Sequence, residues 1–239
     1  MRCKLRGMAT AMAASALLGI SSHAGAGIDV GGQVTIATDY MFRGASQTMS
    51  GAALQGELGI EADNGWYGFV WASNVDFTDS YTQDDGASLE LDLDVGYAHV
   101  INDRLAVFLG AAAYFFPNTE PGFDYDYVEW HGSLSVDGRH GLTIGYSDNV
   151  FASGSTGVFY EARTGMNLSE QLYLGIELGH YDLEDGYDIS YNYAVLSLAG
   201  SLQAIGWQLS YFTTSDEAGE IFFESTISDR LVLALTLEF

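Results

Sequence analysis

Apolar and polar positions alternate with a period of two along most of this chain, in runs of roughly ten residues, the signature of extended strands with two unlike faces. The last run is the clearest. Leu231, Leu233, Leu235, Leu237 and Phe239 fall on one side, against Val232, Ala234, Thr236 and Glu238 on the other. Twelve runs predict strands at residues 33–43, 53–62, 66–75, 88–101, 105–116, 125–136, 142–148, 158–168, 172–181, 189–201, 207–214 and 231–239. The connections alternate in length. Short turns fall at 63–65, 102–103, 137–140, 169–170 and 202–206, and longer loops at 44–50, 76–87, 117–124, 149–157, 182–188 and 215–230. This asymmetry predicts an all-β, antiparallel up-and-down transmembrane barrel of about 12 strands, with tight turns at one rim and loops at the other. An even count returns the C-terminus to the turn side. Residues 221–227 read as loop or as an outward extension of a neighbouring strand.

Charge tells the two faces apart. In the run 88–101, Leu89, Leu91, Leu93, Val95 and Tyr97 share one face, and Glu90, Asp92 and Asp94 share the other. Three carboxylates in hydrocarbon are too costly, so that row turns to the lumen and the leucines to lipid. The same argument sends Leu54, Leu58 and Ile60 out with Gln55, Glu57 and Glu61 in, and Leu172, Leu174, Ile176 and Leu178 out with Glu177 in. Val128, Trp130, Leu134 and Val136 go out with Glu129 and His131 in, and Val158 and Tyr160 out with Glu161 and Arg163 in. In the first run, Val34, Ile36, Tyr40 and Phe42 are expected outside, with Asp39 and Arg43 inside. Run 189–201 gives no clear division.

The expected pore lining is therefore Asp39, Arg43, Glu57, Glu61, Glu90, Asp92, Asp94, Glu129, Glu161, Arg163 and Glu177, a strongly negative interior. A soluble lipocalin-like barrel would carry its apolar row inside. Tyr67, Phe69, Trp71, Trp130, Tyr146, Trp207 and Tyr211 are candidates for outer aromatic girdles. Phe108, Tyr114, Phe159, Tyr173 and Phe212 are candidates to fill part of the lumen.

The N-terminus sets the compartment. Arg2, Lys4 and Arg6 precede an apolar run from Met8 to Ile20 and the small residues Ala24, Gly25 and Ala26, which predicts a secretory signal peptide over 1–26 and a single mature barrel domain over 27–239. Without the leader, 32 acids face five arginines (Arg43, Arg104, Arg139, Arg163 and Arg230), a formal charge of −27. Such a surface has no basic patch for phosphates, so nucleic acid is excluded as a partner. Cations, and lipopolysaccharide bridged by them, fit it instead. The one cysteine, Cys3, lies in the leader, which leaves no disulfide or thiol chemistry. Two prolines and abundant Gly, Tyr and Phe suit many strands.

Thr38-Asp39-Tyr40-Met41-Phe42-Arg43-Gly44-Ala45-Ser46-Gln47-Thr48 resembles the opening motif of the TorF-type porins, an outer-membrane family of proteobacteria. Trp66-Tyr67-Gly68-Phe69-Val70-Trp71-Ala72-Ser73-Asn74-Val75-Asp76 resembles that family's next motif. The resemblance implies a barrel in the Gram-negative outer membrane and a pore. A terminal aromatic such as Phe239 resembles the mark that the barrel-assembly machinery reads on closing strands.

Asp39 and Arg43, four residues apart, read either as a charged constriction near the outer mouth or as a salt bridge fixing the first strand, and Glu161 with Arg163 carries the same two readings. Glu90, Asp92 and Asp94 form a row that attracts cations, since five arginines cannot neutralise so many acids. Asp182, Glu184, Asp185 and Asp188, and Asp76, Asp79, Asp84 and Asp85, make two acidic loops without EF-hand spacing, read as solvated loops or as divalent-cation sites. His99, His131, His140 and His180 are scattered and show no metal-ligand spacing. No Ser-His constellation of a membrane phospholipase is present, so no enzymatic activity and no cofactor are expected. The function expected is passive diffusion of small, cationic or neutral solutes; the rival is a closed barrel with a structural or surface-binding role.

Overall fold

The computed structural model describes residues 27–78 and 85–239; the expected signal peptide, and Asp79 and Asp84 of one acidic loop, lie outside them. Twelve strands close into one antiparallel barrel: β1 (Ile28–Ala37), β4 (Ala53–Ala62), β5 (Trp66–Asn74), β6 (Leu89–Asn102), β7 (Leu105–Phe115), β8 (Tyr127–Val136), β9 (His140–Ser147), β10 (Gly157–Asn167), β11 (Leu172–Asp182), β12 (Ser190–Leu202), β13 (Ile205–Thr214) and β14 (Arg230–Glu238). Each pairs with its neighbours in sequence, and β1 closes the ring on β14 through registers such as Val34 with Leu237 and Ala37 with Ala234. Closure leaves no edge strand unpaired.

The remaining two strands, β2 (Met41–Phe42) and β3 (Ala45–Ser46), form a separate hairpin. Two short helices, α1 (Glu184–Tyr187) and α2 (Glu224–Ile227), sit in long connections. Residues 221–227 thus join no wall strand; α2 occupies most of them, and the even strand count stands.

Gly27, the first described residue, and the C-terminal Phe239 both lie at the short-turn rim, where Asp63 N–H donates to Gly27 C=O and Gly32 and Phe239 exchange backbone hydrogen bonds at 3.0 Å. The outer wall is the apolar row. Leu54, Leu58, Ile60, Val95, Leu178, Leu231 and Leu237 are each at least half exposed, Leu58 at 59%. That surface, unfavourable in water, is what a bilayer's hydrocarbon would cover.

One strand boundary and two expectations about faces fail. The first wall strand is 28–37 rather than 33–43, because the chain leaves the wall after Ala37 and turns inward. Tyr40 and Phe42 are consequently buried inside, where a continuing strand would have put them outside. On β5, Tyr67, Phe69 and Trp71 face inward and Trp66, Val70 and Ala72 outward, since Ser73, buried at 1%, fixes the parity. With no charge in that run and apolar residues on both faces, alternation alone could not choose. Trp130, Tyr146, Trp207 and Tyr211 do face out, and Trp66 joins them, packed edge-on against Tyr97 at 5.4 Å. On β12, whose pattern was undecided, Tyr191, Tyr193, Val195 and Ser197 point inward.

Candidate functional site: the lumen and its hairpin

At the long-loop end the lumen is filled by an aromatic core. The segment between Ala37 and Ala53 turns inward as the β2–β3 hairpin, with Met41 opposite Ser46 and Phe42 opposite Ala45. Its two-residue turn is Arg43-Gly44, both at positive φ (46° and 84°), as a type I′ turn demands. Glycine takes the second position freely; an arginine at the first carries backbone strain of about 1–2 kcal/mol.

The Arg43 side chain explains why that strain is held. It is 1% exposed; its Nη2 donates to Glu129 Oε1 at 2.6 Å, and its Cζ lies 3.6 Å from the centre of the Phe159 ring, 4.5 Å from Phe42 and 4.6 Å from Tyr181. Tyr114 Oη donates to the same Glu129 oxygen at 3.4 Å and stacks on Tyr127 at 4.5 Å. Such a guanidinium, fully removed from water, is stabilised by one carboxylate and by ring faces together.

The wall is shaped to admit these rings. Phe159 is the direct cross-strand partner of Gly145, and a Cβ there would come within 1.8 Å of the ring. Tyr193 lies over its partner Gly179 in the same way, at 1.9 Å. Tyr193 Oη also donates to Glu161 at 2.5 Å.

The base of the hairpin is tied to the rim. Asp39 accepts from Ser46 Oγ at 2.6 Å, Thr48 Oγ1 at 2.8 Å and Arg230 Nη1 at 2.5 Å, while Arg230 also donates to Ser50 Oγ at 2.7 Å and to the Ser225 carbonyl. Asp76 N–H donates to the Gln47 carbonyl at 2.8 Å, and Thr214 Oγ1 to the Gly44 carbonyl at 2.7 Å. The expected Asp39–Arg43 pair is therefore not formed. The four-residue spacing assumed one strand, but the turn carries Arg43 to Glu129 and leaves Asp39 to Arg230.

The other candidate residues line the wall. Glu57, Glu90, Asp92, Asp94, Glu129 and Glu177 are all buried on the inner face, and Glu61, Glu161 and Arg163 are half-buried there. Asp94 pairs with His131 at 2.8 Å. Glu161 and Arg163 form no ion pair; Arg163 packs its stem over Gly141. Glu57, Glu90, Asp92, Asp94 and Glu177 each keep one buried carboxylate oxygen without a hydrogen-bond partner in the protein. Phe108, Tyr114, Phe159, Tyr173 and Phe212 share the inner face, as expected. Tyr181, Tyr191 and Arg230 belong to this site without having been singled out in the sequence. Tyr181 shares the inner face that Glu177 marks on β11, so that parity was the signal for it; Tyr191 lies in a run without a charge, and Arg230 is the first residue of its strand.

Outside the wall, neighbours set the titration. Burial and the hydrogen bond to Asp85 (2.7 Å) push the Tyr125 phenol up. The side-chain hydrogen bond from Arg104 holds the turn carboxylate Asp137 below its usual range, and those from Tyr211 and Thr213 do the same for Asp229. Among the described residues, no group of three or more acids, histidines or cysteines has the geometry to hold a metal ion.

Solved porins share this fold. The NanC porin matches with a TM-score of 0.54 at 12% identity, over 88% of this chain and 98% of its own. The KdgM porin matches with a TM-score of 0.54 at 10% identity, over 87% and 99%. A second KdgM structure, in complex with disordered oligogalacturonate, matches at 0.52 and 8% identity over 88% and 98%. No curated protein matches the sequence. The family model of Gcw_chp, described as a bacterial protein of unknown function, matches residues 21–228, and the chain belongs to that family.

Proposed function

We propose that this protein is a non-catalytic channel of the Gram-negative outer membrane, exported by its leader, that passes small cationic or neutral solutes down their gradient. The motifs at 38–48 and 66–76 support a TorF-type assignment within the family. The observation that carries the channel reading is the row of inner-wall carboxylates with unpartnered oxygens inside a barrel whose outside is apolar. A buried polar atom without a partner is costly, and an aqueous, cation-bearing path would relieve that cost. The negative wall would raise the local concentration of cations and repel anions. Porin neighbours with the same architecture are consistent with this role.

A second reading has its own support. The β2–β3 hairpin and its rings occupy the long-loop half of the lumen, as they would in a closed barrel whose acidic loops bind lipopolysaccharide through divalent cations. Planar-bilayer recordings on the purified mature protein decide. The channel reading expects discrete conductance and a reversal potential of cationic sign in a salt gradient. An anion preference would overturn the charge argument, and silence from both the wild type and a variant with a loosened hairpin would leave the closed barrel.

A further inference from the structure

The long-loop half of the lumen holds a cation site already occupied by the protein itself. Four wall strands build it: Tyr114 from β7, Glu129 from β8, Phe159 from β10 and Tyr181 from β11. The occupant arrives on a hairpin of two two-residue strands, at a turn position that arginine fills under strain. A turn chosen for its backbone alone would carry Asn, Asp or Gly there. The side chain is the reason for arginine.

We propose that the β2–β3 hairpin is an internal plug, and that the cradle around Arg43 is a binding site for an external guanidinium-type cation, for which Arg43 is the built-in stand-in. The proposal deepens the channel reading, on which the ligand's route rests. Its ligand class follows from the donor set. One carboxylate and two aromatic faces offer too few oxygens for a hard metal ion, and a small ammonium would lose tightly held water. A flat, weakly hydrated guanidinium can stack on Phe159 and hydrogen-bond Glu129 at once, as Arg43 does at 3.6 Å and 2.6 Å. Arg43 Nη1 is buried without an acceptor, so a single carboxylate and the rings are the whole recognition surface.

The wall is a closed ring of continuous hydrogen-bonded pairs, whereas the hairpin tip is held to it by the Arg43–Glu129 pair, the Thr214-to-Gly44 hydrogen bond and side-chain contacts of Phe42 and Arg43 with the wall's rings. A competing cation therefore displaces the tip while the barrel stays intact. Asp182 ends β11 and Glu184, Asp185 and Asp188 stand in the β11–β12 connection, all at the long-loop rim, and Glu90 and Asp92 line the inner wall. Negative potential thus draws cations to the cradle.

The test uses the mature protein with Arg43→Ala, and with Arg43→Lys as a second variant that keeps the charge but not the flat ion. Barrel closure is checked by heat-modifiable migration in gels. In planar bilayers, Arg43→Ala should conduct more than the wild type. Methylguanidinium should block it at roughly tenfold lower concentration than methylammonium. Glu129→Gln on the Arg43→Ala background should remove that preference, and the wild type should need more methylguanidinium because its own arginine competes. Equal block by the two cations, or a preference unchanged by Glu129→Gln, would overturn the cradle while leaving the channel intact. If neither protein conducts, the channel reading fails, and calorimetric titration of detergent-solubilised Arg43→Ala with methylguanidinium still decides: saturable binding lost with Glu129→Gln upholds the site, and no binding overturns it.

Discussion

Gly145→Ala is a single-carbon change on the wall that should reach the hairpin. An added Cβ would lie 1.8 Å from Phe159 Cε1, whereas carbons pack at about 3.5–4.0 Å. The ring must retreat by about 2 Å to restore contact distance. The ring already carries the Arg43 Cζ 3.6 Å from its centre, in a site almost closed to water. The ring therefore pushes the guanidinium off its stack, or the wall bends. Overpacking costs about 1–3 kcal/mol, and a desolvated cation–π contact is worth about 2 kcal/mol. Partial relaxation of both gives an expected loss of about 2–4 kcal/mol in unfolding free energy. Urea titration of the barrel refolded into lipid vesicles, followed by aromatic fluorescence, measures it. Gly56→Ala is the control, since a Cβ there meets nothing within 4 Å. Phe159→Leu added to Gly145→Ala should recover part of the overpacking loss by shrinking the obstructing ring. Gly145→Ala and Gly56→Ala agreeing within about 0.5 kcal/mol would refute the reasoning, because surface-like changes fall in that range.

Other outcomes separate the parts of the lumen. Glu129→Gln leaves a buried guanidinium without its counter-charge and should destabilise the barrel by about 3–5 kcal/mol in the same urea assay. Neutralising Glu90, Asp92 and Asp94 together, as Gln, Asn and Asn, should shift the bilayer reversal potential toward zero, because the wall loses three charges while strand pairing is untouched; an unchanged potential would place selectivity elsewhere. Arg104→Ala should leave both the urea midpoint and the conductance at wild-type values, since its pair with Asp137 lies exposed at a turn where water replaces it.

Residues with a charge beside them were legible, and those without were not. The row Glu90, Asp92 and Asp94 fixed the faces of β6, and Glu57, Glu129, Glu161 and Glu177 fixed those of their strands, because a carboxylate in hydrocarbon costs more than any packing gain returns. On β5, Tyr67, Phe69, Trp71, Trp66 and Val70 suit either lipid or a packed interior, so the parity needed Ser73 and the pairing with Asp92 and Asp94 to settle it. The same ambiguity hid Tyr191 and Tyr193. The inward hairpin was misread for a different reason. Residues 38–43 alternate as well as a wall strand does, and alternation reports two unlike surroundings without saying whether one is lipid. The chain has already left the wall after Ala37, and Arg43-Gly44, whose positive φ values make the hairpin's turn, reads in sequence as the top of a strand.

The placement of arginines among the described residues ties these observations together. Arg104 pairs with Asp137 in the open at the short-turn rim, and Arg230 holds Asp39 at the base of the hairpin. Arg43 neutralises Glu129 in the middle of the aromatic core, and His131 partners Asp94. Glu57, Glu90 and Asp92 remain on the inner wall without an ion-pair partner, and Glu177 faces Arg163 across the strand pair without forming one. Adding arginines opposite them would have stabilised a permanently closed barrel, since paired and hydrogen-bonded charges are tolerated where lone ones are not. The inner-wall acids thus outnumber the basic groups that pair with them, and the one cation of the aromatic core is carried on a hairpin that stands outside the wall's strand pairing, with Gly145 and Gly179 leaving room for the rings around it. Charge surplus and movable cation belong to one device only if solute cations enter. The preference for guanidinium over ammonium in a barrel stripped of Arg43 is therefore the measurement that decides whether they do.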